Sequence, residues 1–364
     1  MHYHIILTDK CNSECKYCYQ KSMKDFSSGI EKKFKFDFSD SKGLDIKKLK
    51  KFIKKDKKSV LVFYGGEPLL EIEKIKEMMN EINVPFRMQT NGKLLDKLAP
   101  KYLNRIEKIL VSIDGTKERT DENRGKGTYD LIMKNIKLMK KNGYKGELIA
   151  RMTILYPDIY EQVLFLIKNG FSSVHWQLDA GFYNFDFDKK KFLEFVGEYN
   201  KSISRLVEFW IYDMKKGEVL RLYPFIAIAD SLLKGETTKL KCGSGHSGYT
   251  IAGSGKIFAC PITNHIENFI AGDLDTEPKD LKKFDVSGRC LDCNDKNLCG
   301  GRCLYWNYSN LWPEEGDELV CSTVKHLIKE IKEKTPEIRR LIEKNIISSK
   351  DFEYEKYFGP EIIP

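Results

Sequence analysis

From residue 3 to about residue 180 the chain repeats one order: a short, apolar, β-rich run, then, over varying distances, an amphipathic stretch laced with Lys and Glu. The runs cover 3–7, 59–64, 85–89, 108–113, 148–155 and 173–178, and helical spacing covers 71–82, 128–142 and 159–169. Strand-then-helix repetition builds βα units, whose strands lie parallel and whose crossovers are right-handed. An α/β fold with a parallel sheet is the expectation.

What ends or follows each run is polar. After the first comes Cys11-Asn-Ser-Glu-Cys15-Lys-Tyr-Cys18, and the second runs into Gly65-Gly66-Glu67-Pro68. The third ends in Gln89-Thr90-Asn91-Gly92 and the fourth in Ser112-Ile-Asp114-Gly115; the fifth holds Arg151 and Thr153, the sixth Gln177 and Asp179. Strand C-termini of βα barrels meet on one face, where active sites are built, so six polar ends describe one site.

Ten cysteines fall into two groups separated by more than two hundred cysteine-free residues: Cys11, Cys15 and Cys18, then Cys242, Cys260, Cys290, Cys293, Cys299, Cys303 and Cys321. Bunched cysteines in a chain without a secretory signal point to metal or catalysis rather than structural disulfides. Spacings of three and two residues let one loop wrap a [4Fe-4S] cluster with three thiolates, leaving one iron open. A closed zinc knuckle wants four protein ligands; a three-ligand catalytic zinc stays open as an alternative.

CxxxCxxC after a first strand, with Tyr17 before its last cysteine, resembles the radical S-adenosylmethionine (SAM) superfamily, and the likeness extends over nearly the whole N-terminal half. The resemblance implies a partial (β/α)6 barrel over 1–181, with Cys11, Cys15 and Cys18 on a cluster whose open iron chelates SAM. It implies reductive cleavage of SAM to a 5'-deoxyadenosyl radical. Gly65, Gly66 and Glu67 are similar to the family's GGEP motif, which meets the methionyl ammonium; glycine permits the close backbone approach. By the same resemblance Asn91, Ser112 and Asp114 lie along the methionyl and ribose groups, and Tyr17 flanks the adenine. Arg124 falls where relatives pair an arginine with the SAM carboxylate, although Thr120 stands where they carry histidine. Arg151 is a second candidate because its guanidinium fork suits a carboxylate. Gln177 completes the expected SAM contacts. Each motif alone is also an ordinary turn or strand exit.

The later cysteines run Cys242, Gly255-Lys-Ile-Phe-Ala-Cys260, then Cys290-x2-Cys293-x5-Cys299-x3-Cys303, and Cys321. This spacing resembles the SPASM domain, here 242–321, in which two auxiliary [4Fe-4S] clusters bring the total to three. The resemblance assigns Cys290, Cys293, Cys299 and Cys321 to the outer cluster and Cys242, Cys260 and Cys303 to the inner one. The inner cluster then keeps an open iron or takes a non-cysteine ligand such as His246. Zinc on the C-x2-C pair is the alternative. Residues 248–258 read as a β-hairpin with turn glycines. Residues 182–241 are expected to form a helical bridge, from helices at 189–215 and 221–233. There Tyr183, Arg221 and Tyr223 are candidates to face substrate, against core or surface roles. Residues 322–364 read as a Lys/Glu helix and an aromatic-acidic tail that packs on the barrel or covers a cleft.

Charge and composition exclude more than they assign. Lys+Arg 62 against Asp+Glu 53 gives +9, spread along the chain as a solvated surface, with no interleaved Arg and aromatic motif for reading nucleic acid. No secretory signal precedes residue 8 and no run of about 18 apolar residues occurs, so no membrane span and a cytoplasmic location are expected. No small leader-binding domain is expected before the first strand. The resemblance implies a peptide or protein substrate, a low-potential electron donor such as ferredoxin or flavodoxin, and an oxidative crosslink, thioether or side-chain oxidation. A small-molecule oxidase and a non-catalytic iron-sulfur carrier are the alternatives.

Overall fold

A computed structural model describes residues 1–19, 30–38, 43–179, 188–310 and 312–360; Tyr183 lies outside them. In chain order the elements begin β1 (His2–Ile6), α1 (Ile46–Lys54), β2 (Val60–Tyr64), α2 (Ile72–Glu81), β3 (Phe86–Thr90), α3 (Pro100–Leu103) and β4 (Ile106–Ser112). There follow α4 (Lys117–Arg124), α5 (Thr128–Lys141), β5 (Glu147–Ile154), α6 (Ile159–Lys168), β6 (Ser173–Leu178), α7 (Lys189–Met214), β7 (Arg221–Leu222) and α8 (Tyr223–Lys234). The last are β8 (Gly248–Ile251), β9 (Lys256–Phe258), β10 (Ile270–Asp273), α9 (Lys296–Cys299), α10 (Leu304–Ser309) and α11 (Glu314–Glu343). The chain divides into two units, Met1–Ala150 with Gly243–Asp285, and Arg151–Cys242 with Val286–Pro364.

In the first unit β1 through β4 pair in sequence order, all parallel, so each βα step advances the sheet by one strand. The interior of this sheet is apolar: Leu61, Val62 and Phe63 of β2 are all buried. Each helix covers it with one stripe. In α1 the side chain of Asp45 accepts from the Lys48 N–H at 3.0 Å, capping the start, while Ile46, Leu49, Phe52 and Ile53 turn inward. Phe52 meets Tyr3 of β1 edge to face at 5.3 Å. The expected hairpin is present: β8 and β9 run antiparallel with Thr250 opposite Phe258. Its first arm also pairs in parallel with β1, Tyr3 opposite Tyr249, which no local pattern announces because the partners lie some 240 residues apart.

The second unit is mainly helical. Residues 189–214 make one helix, capped by the Asp188 side chain on the Lys190 and Lys191 N–H groups. Its Trp210 donates to the Leu220 carbonyl at 2.9 Å and meets Phe225 and Phe352 edge to face. The helix expected from 221 starts at Tyr223, because Arg221 and Leu222 pair with β6 and Pro224 favours a first turn. Tyr223 is buried against Tyr354, and Arg221 donates to the Glu353 carbonyl, so both join the tail to the helices within this unit. Among the described residues no helix is long and apolar enough to cross a membrane.

Phe52→Ala should lower stability by about 3–5 kcal/mol, because a fully buried ring leaves a cavity between α1 and the sheet. Urea unfolding followed by far-UV circular dichroism measures it; an unchanged midpoint would contradict the packing described.

Candidate functional site

The first cysteine loop is held by backbone. Beyond β1, the Gly66 N–H donates to the Thr8 carbonyl at 2.8 Å and the Glu67 N–H to the Lys10 carbonyl at 2.9 Å. A Cβ on Gly65, whose φ is +146°, would stand 2.4 Å from the Thr8 oxygen, and one on Gly66 2.3 Å from the Lys10 oxygen. Only glycine lets the strand exit lie flush against the chain leading into Cys11.

Glu67 is fully buried, and its carboxylate accepts from the Leu69 N–H at 3.0 Å, the Thr90 hydroxyl at 2.7 Å and the Asn91 N–H at 2.7 Å. Burial pushes the carboxyl above its ordinary range, and the backbone donors of Asn91 and Leu69 pull against it. The Asn91 amide then donates to Asn12 Oδ1 at 2.7 Å and Ser13 Oγ at 3.2 Å, and stands 3.8 Å from the Cys11 sulfur. Cys15 and Cys18 share a turn, with the Cys18 N–H donating to the Cys15 carbonyl at 3.3 Å. Burial raises the thiols of Cys11 and Cys15, which lie within electrostatic reach of one another.

At the exit of β4, Asp114 is buried and takes a two-point ion pair from Arg124, Nε to Oδ2 and Nη2 to Oδ1, each 2.9 Å. The Tyr17 hydroxyl donates to Asp114 at 2.5 Å and the Asn123 amide at 3.3 Å. The Arg124 guanidinium lies 5.2 Å from the centre of the Tyr17 ring. Burial alone would lower the Arg124 pKa, but Asp114, Tyr17 and Cys15 hold it raised; burial lifts the Tyr17 hydroxyl well above its usual range. Thr120 accepts from the Asp114 N–H at 3.2 Å. The Lys16 N–H donates to the Asn123 carbonyl, so the end of α4 docks on the cysteine loop. Ser112 is half-buried at the end of β4.

Tyr19, directly after Cys18, was not among the expected site residues. Its hydroxyl lies 3.3 Å from that of Tyr64, which accepts from the Gln89 amide at 3.4 Å. Burial raises it well above the ordinary tyrosine range, and Tyr64, Cys18 and Cys260 add to the effect, so it sits within reach of a thiol from each cysteine group. Adjacency to Cys18 was the only signal in the sequence. Cys260, two residues past β9, is buried, with its N–H on Thr263 Oγ1 at 3.1 Å; His246 bonds to Ser247.

In the second unit Arg151 donates to Gln177 Oε1 at 2.9 Å, so these two meet each other. Cys290, Cys293, Cys299 and Cys321 interact as one set. Burial pushes the Cys299 thiol up to about 11, against N–H groups of Gly301 and Arg302 that favour the thiolate. Gly300 makes that turn possible, since a Cβ there would meet the Lys239 carbonyl at 1.9 Å. The Asn307 amide lies 3.5 Å from the Cys290 sulfur, and the Arg289 guanidinium 3.6 Å from that of Cys321 and 3.3 Å from Asp317. A cavity of about 340 Å³ opens here, lined by Cys290, Cys321, Arg289, Arg302, Trp306 and Asn307 among others. Cys242 and Cys303 belong to this unit, half-buried. Among the described residues no three His, Cys, Asp or Glu gather as ligands of a single ion. Thiols interacting as a set, with N–H groups aimed at sulfur, are the donors an iron-sulfur cluster needs.

Residues 5–169 match the family described as Radical SAM superfamily. An uncharacterized protein of Methanothermobacter thermautotrophicus is 26% identical over 46% of this chain, which spans 64% of that protein. The radical SAM cyclopropyl synthase TigE of Paramaledivibacter caminithermalis is 22% identical over 92% of this chain and 75% of its own length. The cysteine-type anaerobic sulfatase-maturating enzyme of Clostridium perfringens is 23% identical over 80% and 85%. Among solved structures, native anSMEcpe with bound AdoMet and Cp18Cys peptide superposes with a TM-score of 0.68 at 19% identity, covering 94% of this chain and 99% of that one. Streptococcus suis SuiB bound to precursor peptide SuiA gives 0.55 at 15%, covering 83% and 71%.

Asp114→Asn should cost about 3–5 kcal/mol by leaving the Arg124 charge buried without its counterion, and Asp114→Leu with Arg124→Leu together should cost less than the sum of the two single changes. Denaturation midpoints of wild type and the four variants decide it; additive losses would deny the coupling. Glu67→Gln should cost about 1–3 kcal/mol, since an amide cannot accept from all three donors, and should reduce the iron taken up on reconstitution. A variant equal to wild type in both respects would remove Glu67 as the brace.

Proposed function

We propose, from the premise that residues 5–169 are a radical SAM domain, that the chain cleaves SAM reductively and takes hydrogen from a peptide or protein side chain, giving an oxidative modification. One observation carries the reading: the Cys11–Cys18 loop is pinned to the Gly65–Glu67 exit and braced by Asn91, with the Tyr17–Asp114–Arg124 group against it. Three thiolates of that loop would hold a [4Fe-4S] cluster, which with SAM supplies a 5'-deoxyadenosyl radical. By the resemblance to SPASM domains, Cys290, Cys293, Cys299 and Cys321 would hold an auxiliary cluster and Cys242, Cys260 and Cys303 a second, the pair serving as electron sink.

The protein's own contribution is placement. The two glycines bring peptide N–H and C=O groups to the loop, and Glu67 keeps β2 and β3 in step beneath it. Asp114 cancels the Arg124 charge and orients the Tyr17 hydroxyl, so the buried charges beside the loop are paired. The peptide class of substrate is supported by a relative named for maturation of a sulfatase and by similar solved structures with bound peptides. Ferredoxin or flavodoxin as donor follows from the same likeness.

Full-length protein reconstituted anaerobically with iron and sulfide, then given SAM and dithionite, should form 5'-deoxyadenosine, and Cys15→Ala should abolish it. Mass spectrometry of cysteine- and serine-containing peptides included in that reaction should find a product that has lost two hydrogens. Iron-loaded protein that leaves SAM intact with every peptide would overturn the proposal.

A further inference from the structure

In the second unit the sulfurs of Cys290, Cys299 and Cys321 each face N–H donors from other residues. The Asn307 amide of α10 lies 3.5 Å from the Cys290 sulfur, and the Arg289 guanidinium 3.6 Å from that of Cys321. Backbone N–H groups of Gly301 and Arg302 reach Cys299. Residues 300, 301 and 302 all lie in the left-handed region to do so, with φ of +71°, +97° and +59°. Successive N–H groups of such a turn form a concavity for negative charge, and an arginine accepts strained backbone to complete it.

The two side chains are fixed in their orientation. Asn307 accepts with Oδ1 from the Ser287 N–H at 2.8 Å, and its amide nitrogen donates to the Ser287 carbonyl at 3.0 Å. A flipped amide would set N–H against N–H and carbonyl against carbonyl, so the second amide hydrogen is left for Cys290. Arg289 uses the same nitrogen, Nη2, for Cys321 and for Asp317 at 3.3 Å. Asp317 is buried, and its other oxygen accepts from the Trp306 indole at 2.8 Å. Asp317 and Cys321 stand one turn apart on α11, so one nitrogen spans carboxylate and sulfur on a single helix. Burial and the sulfurs of Cys321 and Cys293 raise the Cys290 thiol, and Arg289 and Asn307 oppose them.

An N–H aimed at a thiolate stabilises the more negative of two redox states, so hydrogen bonds to ligand sulfur raise the potential of an iron-sulfur cluster. We propose that Arg289 and Asn307 set the reduction potential of the outer auxiliary cluster, donating to Cys321 and Cys290 so that it accepts an electron more readily. Resting on the proposed function, the step they favour is a one-electron transfer. The substrate, having lost a hydrogen atom to the adenosyl radical, gives up one electron and one proton. The proton goes to solvent, and the electron is held beside the two N–H donors.

The test is a redox titration, followed by electron paramagnetic resonance, of reconstituted full-length wild type, Arg289→Met, Arg289→Lys and Asn307→Leu, matched for iron. In Arg289→Met one wave should move: reduction becomes roughly tenfold less favourable, about 59 mV for a one-electron couple. Asn307→Leu should lower the same wave. Arg289→Lys, which keeps a cation but loses the fork, should fall between Arg289→Met and wild type. The remaining waves should stay in place, which a general loss of structure would not allow. If Asn307→Leu does not hold its iron, the two Arg289 variants decide alone. Waves that coincide with wild type in iron-loaded variants, or that all shift together, overturn the inference and leave the proposed function standing. Wild type with one wave only, its later cysteines holding no iron, overturns the inference with its premise. Wild type with all its waves that never yields 5'-deoxyadenosine overturns the proposed function alone.

Discussion

Everything at the first cysteine loop leans on the carboxylate of Glu67. A buried carboxylate is costly unless its lone pairs are taken, and here one carboxyl receives a hydroxyl and two backbone N–H groups from two strand exits. The donors lie on the turn after β2 and at the end of β3, so the charge works as a clamp between neighbouring strand ends. Asn91, fixed by that clamp through its backbone, uses its side chain to hold Asn12 and Ser13. The position of Cys11 thus follows from a negative charge that never faces solvent.

A second buried charge is arranged differently. Asp114 and Arg124 neutralise each other in a two-point pair, and the remaining capacity of Asp114 goes to Tyr17 and Asn123. Resemblance to the superfamily suggested ligand contacts for Asp114, Arg124 and Tyr17 separately; the structure joins them to one another. Sulfur, phenol, carboxylate and guanidinium form one electrostatic group, in which Cys15 also feels Arg124 and Asp114. Changing any one of them alters the setting of the others.

Much of this was legible in the sequence, for physical reasons that differ by element. The parallel strands showed because each is a short apolar run between amphipathic helices, and the two glycines showed because nothing else survives a 2.3 Å approach. The hairpin at 248–258 showed in its turn residues. The parallel pairing of its first arm with β1 did not, since backbone hydrogen bonds between distant segments leave no local signature. Tyr19 is not legible in this way, because an aromatic after a cysteine looks like core; its place between Tyr64 and the thiols gives it meaning. Thr120, noted as a departure from the family pattern, holds the Asp114 backbone.

The contacts between residues 8–10 and 66–67 also set an order of events. They join segments nearly sixty residues apart, and such a closure is unfavourable in entropy until the strands between which it lies have paired. The loop that presents Cys11, Cys15 and Cys18 is therefore a product of folding rather than its seed. Iron arriving at the nascent chain meets three tethered but unarranged thiols; iron arriving after β1 and β2 have joined meets a finished cradle. Maturation of such a protein belongs after synthesis of at least the first seventy residues, and its timing is written in two glycines.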